Sequence, residues 1–82
     1  MKYRILIDKP ALKFLQKQPR EQQERLLKAI HRLPGEGDIR MLSGREALYR
    51  LHVGPYRAIY AIENHILTIR VLTIGNRGDV YK

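Results

Sequence analysis

Arg50, His52, Arg57 and Arg70, edged by Arg77 and Tyr81, are the residues whose types suit work on a phosphodiester. A guanidinium is a planar fork that pairs bidentately with phosphate oxygens and stays charged at working pH. Imidazole is the ordinary side chain that changes charge near neutrality. A phenol can stack on a base, or move a proton if nearby cations lower its pKa. Arg50 and His52 are two positions apart, so on a strand they share a face. Arg57 joins them if the chain reverses at Gly54-Pro55.

The elements that must hold these groups follow from periodicity. Lys2 to Ile7 alternates Tyr3, Ile5 and Ile7 with Lys2, Arg4 and Leu6, which predicts a short strand. Asp8 suits an N-cap and Pro10 a first helical turn, so a helix is expected to about Gln18, broken at Pro19. Leu26, Ile30 and Leu33 make an apolar stripe for a second helix, Arg20 to Leu33, stopped by Pro34-Gly35. Pro34 to Gly44 reads as a loop, with a short extended piece around Ile39 to Leu42. Leu48 to Val53, Tyr56 to Ile62 and Ile66 to Ile74 read as three consecutive strands, followed by a polar tail from Gly75. The expected class is α+β: an N-terminal strand, a two-helix hairpin and a three-stranded antiparallel meander, with the helices on one face of the sheet. Residues 1–82 form one domain in this reading.

Face assignment then separates core from charge. Tyr49, Leu51, Val53, Ala58, Tyr60, Ile62, Leu67, Ile69 and Val71 are expected under the helices. The opposite face carries Arg50, His52, Arg57 and Arg70, because burying them unpaired would cost several kcal/mol each. None of the three arginines has a carboxylate on its own strand face. Such a face suits a sugar-phosphate backbone. The plain alternative is a solvated sheet face.

Charge agrees and composition excludes. There are 16 Lys and Arg against 8 Asp and Glu, a formal net charge of +8. Between Lys28 and Lys82 every Lys or Arg is Arg. An acidic partner follows: nucleic acid, a ribosome or an acidic protein. With no cysteine, disulfides, thiolate zinc sites and thiol nucleophiles are excluded. His31, His52 and His65 match no metal-ligand spacing. No apolar run approaches a membrane span, and Met1-Lys2-Tyr3-Arg4-Ile5 has no signal-peptide character, which points to the cytoplasm.

The segments Leu42-Ser43-Gly44, Leu48-Tyr49-Arg50-Leu51-His52-Val53-Gly54-Pro55-Tyr56-Arg57-Ala58-Ile59-Tyr60 and Ile74-Gly75-Asn76-Arg77-Gly78-Asp79-Val80-Tyr81 resemble the RelE family of bacterial and archaeal toxins. The family pattern is roughly L-x-G, then L-Y-R-L-R-V-G-x-Y-R-V-I-Y, then V-G-H-R-x-D-V-Y. The likeness spans the chain and implies a RelE-like fold. It also implies the toxin of a type II toxin–antitoxin pair, a ribosome-dependent endonuclease that cuts mRNA in the A site. No metal or other cofactor is implied, because the nucleophile is the RNA's own 2′-hydroxyl. By the same resemblance, Arg50, His52, Arg57, Arg77 and Tyr81 are the candidate catalytic residues. Arg57 would bind the scissile phosphate and stabilise its transition-state charge, with Arg50 sharing that work. Arg77 would stabilise charge at the leaving 5′-oxygen, and Tyr81 would stack on a base or take part in proton transfer. The implied partners are a RelB-like antitoxin forming a hetero-oligomer, the ribosome with its mRNA, and operator DNA reached through the antitoxin. No membrane is implied.

Two departures stand out. His52 lies where the family has Lys or Arg, which makes it a candidate general base titrating around pH 6 to 7. Asn76 lies where many members have His, which removes a candidate acid. Two alternatives carry less machinery. A ParE-like toxin would poison DNA gyrase on the same fold, and a non-catalytic module would bind RNA through the cationic face.

Overall fold

The computed structural model describes residues 3–77. The chain runs β1 (Arg4–Ile7), α1 (Lys9–Gln16), α2 (Arg20–His31), β2 (Asp38–Ser43), β3 (Leu48–Val53), β4 (Tyr56–Glu63), a 3₁₀ turn (Asn64–Ile66) and β5 (Thr68–Asn76). The strands form one sheet ordered β1-β5-β4-β3-β2. β1 lies parallel to β5, and the other neighbours are antiparallel. The expected α+β class, N-terminal strand, two helices and meander are all present. The extended piece expected around Ile39 to Leu42 within a loop is a full fifth strand, β2, which pairs with β3 and forms one edge of the sheet.

Both helices cover one face. Ala11 and Leu15 of α1 and Leu26 and Ile30 of α2 are buried against Leu51, Ala58, Tyr60, Ile69 and Val71 of the central strands. The α1–α2 corner at Pro19 is closed by side chains: Gln18 Nε2 donates to the Phe14 carbonyl at 3.1 Å and Gln23 Nε2 to the Gln18 carbonyl at 2.8 Å. These satisfy carbonyls that a helix end leaves open. No helix among the described residues is long and apolar enough to cross a membrane.

Four local expectations change. The helices end at Gln16 and His31, before the expected Gln18 and Leu33. Leu67 is not in the core: it adopts φ 48° after the 3₁₀ turn and is 37% exposed, so β5 starts at Thr68. Ile59 pairs with Thr73 but Tyr60 with Val71, leaving Leu72 as a bulge. The extra residue flips the strand's parity, so Ile74 turns into the core instead of joining Arg70 and Leu72. β5 also continues through Gly75 and Asn76, where a tail was expected.

Asp8 sits at the N-cap of α1 but makes no capping bond. Its carboxylate accepts from Arg70 Nε at 3.0 and 3.2 Å, a charge-assisted contact stronger than a neutral cap. Arg70 was expected among the cationic cluster. The parallel β1–β5 pairing instead puts it beside Asp8, and it has the carboxylate its own strand lacks.

Tyr49 and Tyr60 are packing residues, as expected, and Tyr56 is one too. Tyr49 stacks on Tyr60 at 5.6 Å, and Tyr56 meets Phe14 edge-on while donating to Gln18 Oε1 at 3.0 Å. Burial pushes the Tyr60 phenol up to about 12, and its oxygen has no hydrogen-bond partner among the described residues. Tyr60→Phe removes only that oxygen and should stabilise the fold by about 1 kcal/mol. Tyr60→Ala should cost about 3–5 kcal/mol through the cavity it leaves. Urea unfolding of both variants tests this, and a destabilised Tyr60→Phe would show that the hydroxyl is partnered.

Candidate active site

Register assembles the site. On the face away from the helices, Asp38 of β2 lies opposite His52 of β3, and His52 lies opposite Arg57 of β4. One step along, Arg40 lies opposite Arg50. Directly opposed residues have Cβ atoms roughly 5 Å apart, so these side chains are forced together. Arg77 follows β5 and reaches the same place. Asp38, Arg40, Arg50, His52, Arg57 and Arg77 line one cleft of about 330 Å³.

Two glycines shape its rim. Gly54 turns the β3–β4 hairpin at φ +56°, a conformation that costs other residues roughly 1–2 kcal/mol. The turn anchors Arg77: its backbone N–H donates to the Pro55 carbonyl at 2.9 Å and its Nη1 to the Gly54 carbonyl at 3.4 Å. Gly37 leads into β2 at φ +126°, and a Cβ there would come within 2.7 Å of Leu51 Cδ1. Only glycine delivers Asp38 to the cleft on this path.

Two of the four arginines are held, not trailing in solvent. Arg50 is 7% and Arg57 9% exposed. Arg57 Nε donates to His52 Nε2 at 3.2 Å, and Arg50 Nη1 meets His52 Nδ1. Arginine nitrogens only donate, and a neutral imidazole has one lone pair while an imidazolium has none. Protonating His52 is therefore opposed at both ring nitrogens. Its pKa falls below the usual 6.5, through burial first, then the charges of Arg50, Arg77 and Arg57, against a smaller opposite pull from Asp38. A neutral His52 can accept from only one of these arginines: with Nε2 accepting from Arg57 its lone pair is engaged, and Nδ1 faces Arg50 with an N–H.

This has a stability consequence. The folded state binds the His52 proton less readily than the unfolded chain does. The stability this confers is complete above 6.5 and is lost as pH falls through the lower folded pKa. The melting temperature should decline from pH 6.5 toward about 5, before carboxylates titrate. His52→Gln should flatten that limb, and an unchanged decline in the variant would remove His52 as its source.

Four arginines and one aspartate leave the cleft with a charge of +3. Cations packed this closely are a standing cost that a bound anion relieves. The geometry can grip a phosphate through planar forks and stabilise extra negative charge on phosphorus. Among the described residues no group of His, Cys, Asp and Glu is placed to hold a metal ion.

Of the sequence-predicted residues, Arg50, His52, Arg57 and Arg77 come together. Arg70 does not, and Tyr81 lies outside the described residues. Asp38 and Arg40 were missed as cleft residues because their segment was read as loop. Pairing Asp38–Ser43 with Leu48–Val53 would have put both on the Arg50 face.

Residues 5–81 match the family described as the ParE toxin of the type II toxin–antitoxin system parDE. A chain of the archaeal RelE–RelB complex from Pyrococcus horikoshii OT3 superposes with a TM-score of 0.82 at 31% identity, covering 98% of this chain and 100% of that one. A chain of the RelBE2 toxin–antitoxin complex from Mycobacterium tuberculosis gives 0.77 at 20% identity, covering 94% and 100%. The isolated Escherichia coli RelE toxin gives 0.74 at 24% identity, covering 96% and 90%. The last two likenesses speak for the fold alone. A search of curated proteins by sequence finds no match.

Proposed function

This chain belongs to the RelE/ParE superfamily of toxins of type II toxin–antitoxin systems, and from that premise we propose that it is a ribosome-dependent endonuclease cutting mRNA in the A site. The observation that carries the reading is the cleft where Arg50, Arg57 and Arg77 surround His52. In the reaction, the 2′-oxygen bonds to phosphorus as the P–O5′ bond breaks. One proton leaves the 2′-hydroxyl and one reaches the 5′-oxygen. The products are a 2′,3′-cyclic phosphate and a 5′-hydroxyl.

Arg57 grips the scissile phosphate, and Arg50 shares the charge that accumulates on it. His52 sets the plane of Arg57 through the Nε–Nε2 bond. That task displaces the conventional base role: the lone pair a base needs is engaged, and its basicity is lowered. Arg77, anchored to the hairpin, stabilises the leaving oxygen. Tyr81 is the remaining candidate for stacking or proton transfer. Positioning in line supplies much of the acceleration, which gives the ribosome its part.

The RelE–RelB complex from Pyrococcus horikoshii supports a RelB-like antitoxin as partner in a hetero-oligomer, acidic enough to mask the cleft and contacting operator DNA itself. The cytoplasm, where the ribosomes are, is the proposed site of action.

The test is cleavage of an end-labelled mRNA on ribosomes with an empty A site. Cutting should need both the ribosome and a 2′-hydroxyl at the scissile nucleotide. Cleavage of the 2′-deoxy message would sink the mechanism. The match to the ParE description favours one second reading, inhibition of DNA gyrase. A supercoiling assay separates them, because Arg57→Ala should leave gyrase inhibition intact.

A further inference from the structure

Asp38 has no part in the reaction just described, yet it lines the same cleft. It is the sole carboxylate among the described residues that line it. Its Oδ1 lies 3.9 Å from Arg50 Nη2 and its Oδ2 3.6 Å from His52 Nδ1. We infer that Asp38 is a resident anion standing in the phosphate position of the cleft, and that it sets how tightly a nucleic-acid backbone binds there.

Three observations carry this. The first is distance. At 3.9 Å from Arg50 and 3.6 Å from a neutral His52 the carboxylate is not hydrogen-bonded, so it is held by the charge of Arg50 and can be displaced. The second is asymmetry. The Asp38 side chain is 66% exposed, whereas those of Arg50 and His52 are 8% and 10% exposed. Arg50 and His52 are fixed, and the anion is the group free to swing toward water. The third is placement. Asp38 opens an edge strand straight after Gly37, whose φ of +126° aims the chain across Leu51. A carboxylate presents two oxygens to a guanidinium as a phosphate does. An RNA phosphate reaching Arg50 must push Asp38 aside or bind against its charge. Asp38 thereby weakens the grip on stray single strands, and full binding falls to a backbone held at several phosphates together.

The inference rests on the proposal that the cleft takes RNA phosphates. Its test is direct binding of a short fluorescein-labelled 2′-O-methyl oligoribonucleotide, which lacks the nucleophile, to the full-length chain by anisotropy. Asp38→Asn should bind about three- to thirtyfold tighter, the span expected for one charge a few ångströms away under partial screening. Its salt dependence should steepen by about 0.7 in log–log slope, one further effective phosphate contact. Asp38→Glu should return affinity to the wild-type range. Glu24→Gln makes the same change in net charge on α2, outside the cleft, and should leave affinity unchanged. Equal or weaker binding by Asp38→Asn overturns the inference and makes Asp38 a brace for Arg50 and His52. Tightening by Glu24→Gln to the same extent overturns it as well, since net charge would then suffice. If Arg57→Ala binds the probe as tightly as the wild type, the cleft is not the RNA site, and the functional reading falls with the inference.

Discussion

Arg57→Ala should lower the rate of mRNA cleavage by about 10²- to 10³-fold, the usual cost of deleting one donor aimed at developing charge. The argument is geometric. Arg57 ends the row Asp38, His52, Arg57 on the central strand β4, with its side chain on the face away from the helices. Its Nε is fixed by His52 at 3.2 Å, so the guanidinium plane is set before substrate arrives. Preorganisation of this kind avoids reorganisation cost in the transition state. The fold should survive, because the hydrophobic core lies on the other side of the sheet. Circular dichroism and a near-normal melting temperature would verify that. Arg57→Lys restores the charge but neither the fork nor the bond to His52, so it should recover only part of the rate. Full activity in Arg57→Ala would remove the cleft from the reaction.

The second large effect separates position from charge. Arg77→Ala and Arg70→Ala change the net charge equally. Arg77 reaches the cleft from the end of β5 and is pinned to the Gly54 and Pro55 carbonyls. Arg70 is spent on Asp8, toward the β1 edge of the sheet. Arg77→Ala should slow cleavage about tenfold to a hundredfold, as expected for losing a donor that stabilises the leaving oxygen. Arg70→Ala should cut at the wild-type rate, with a small loss of stability from an exposed ion pair. Single-turnover cleavage rates of the two variants compare them directly. Equal losses would mean that bulk positive charge, not this constellation, drives the effect.

Much of the site was legible because it is local. Leu48–Val53 and Tyr56–Ile62 alternate cleanly around Gly54-Pro55, and that hairpin alone brings Arg50, His52 and Arg57 together. What was not legible depends on pairing between distant segments. Asp38–Ser43 lacks alternation as a sequence and becomes a strand by pairing with β3, so Asp38 and Arg40 escaped notice. Arg70 was misplaced for the same reason. Its partner Asp8 is sixty-two positions away, joined through the parallel β1–β5 pairing. The bulge at Leu72 reverses the parity that would otherwise keep Ile74 out of the core. The meaning of His52 also changed with context. By type it is a base near neutrality, and beside two arginines it is held neutral with its Nε2 accepting from Arg57.

The most direct test of the account is primer extension on an mRNA translated in a purified system, with the wild-type chain, with Arg57→Ala and without either. The account predicts cuts inside codons that require both translating ribosomes and Arg57. A message left intact by the wild-type chain, or cut equally by Arg57→Ala, would contradict it.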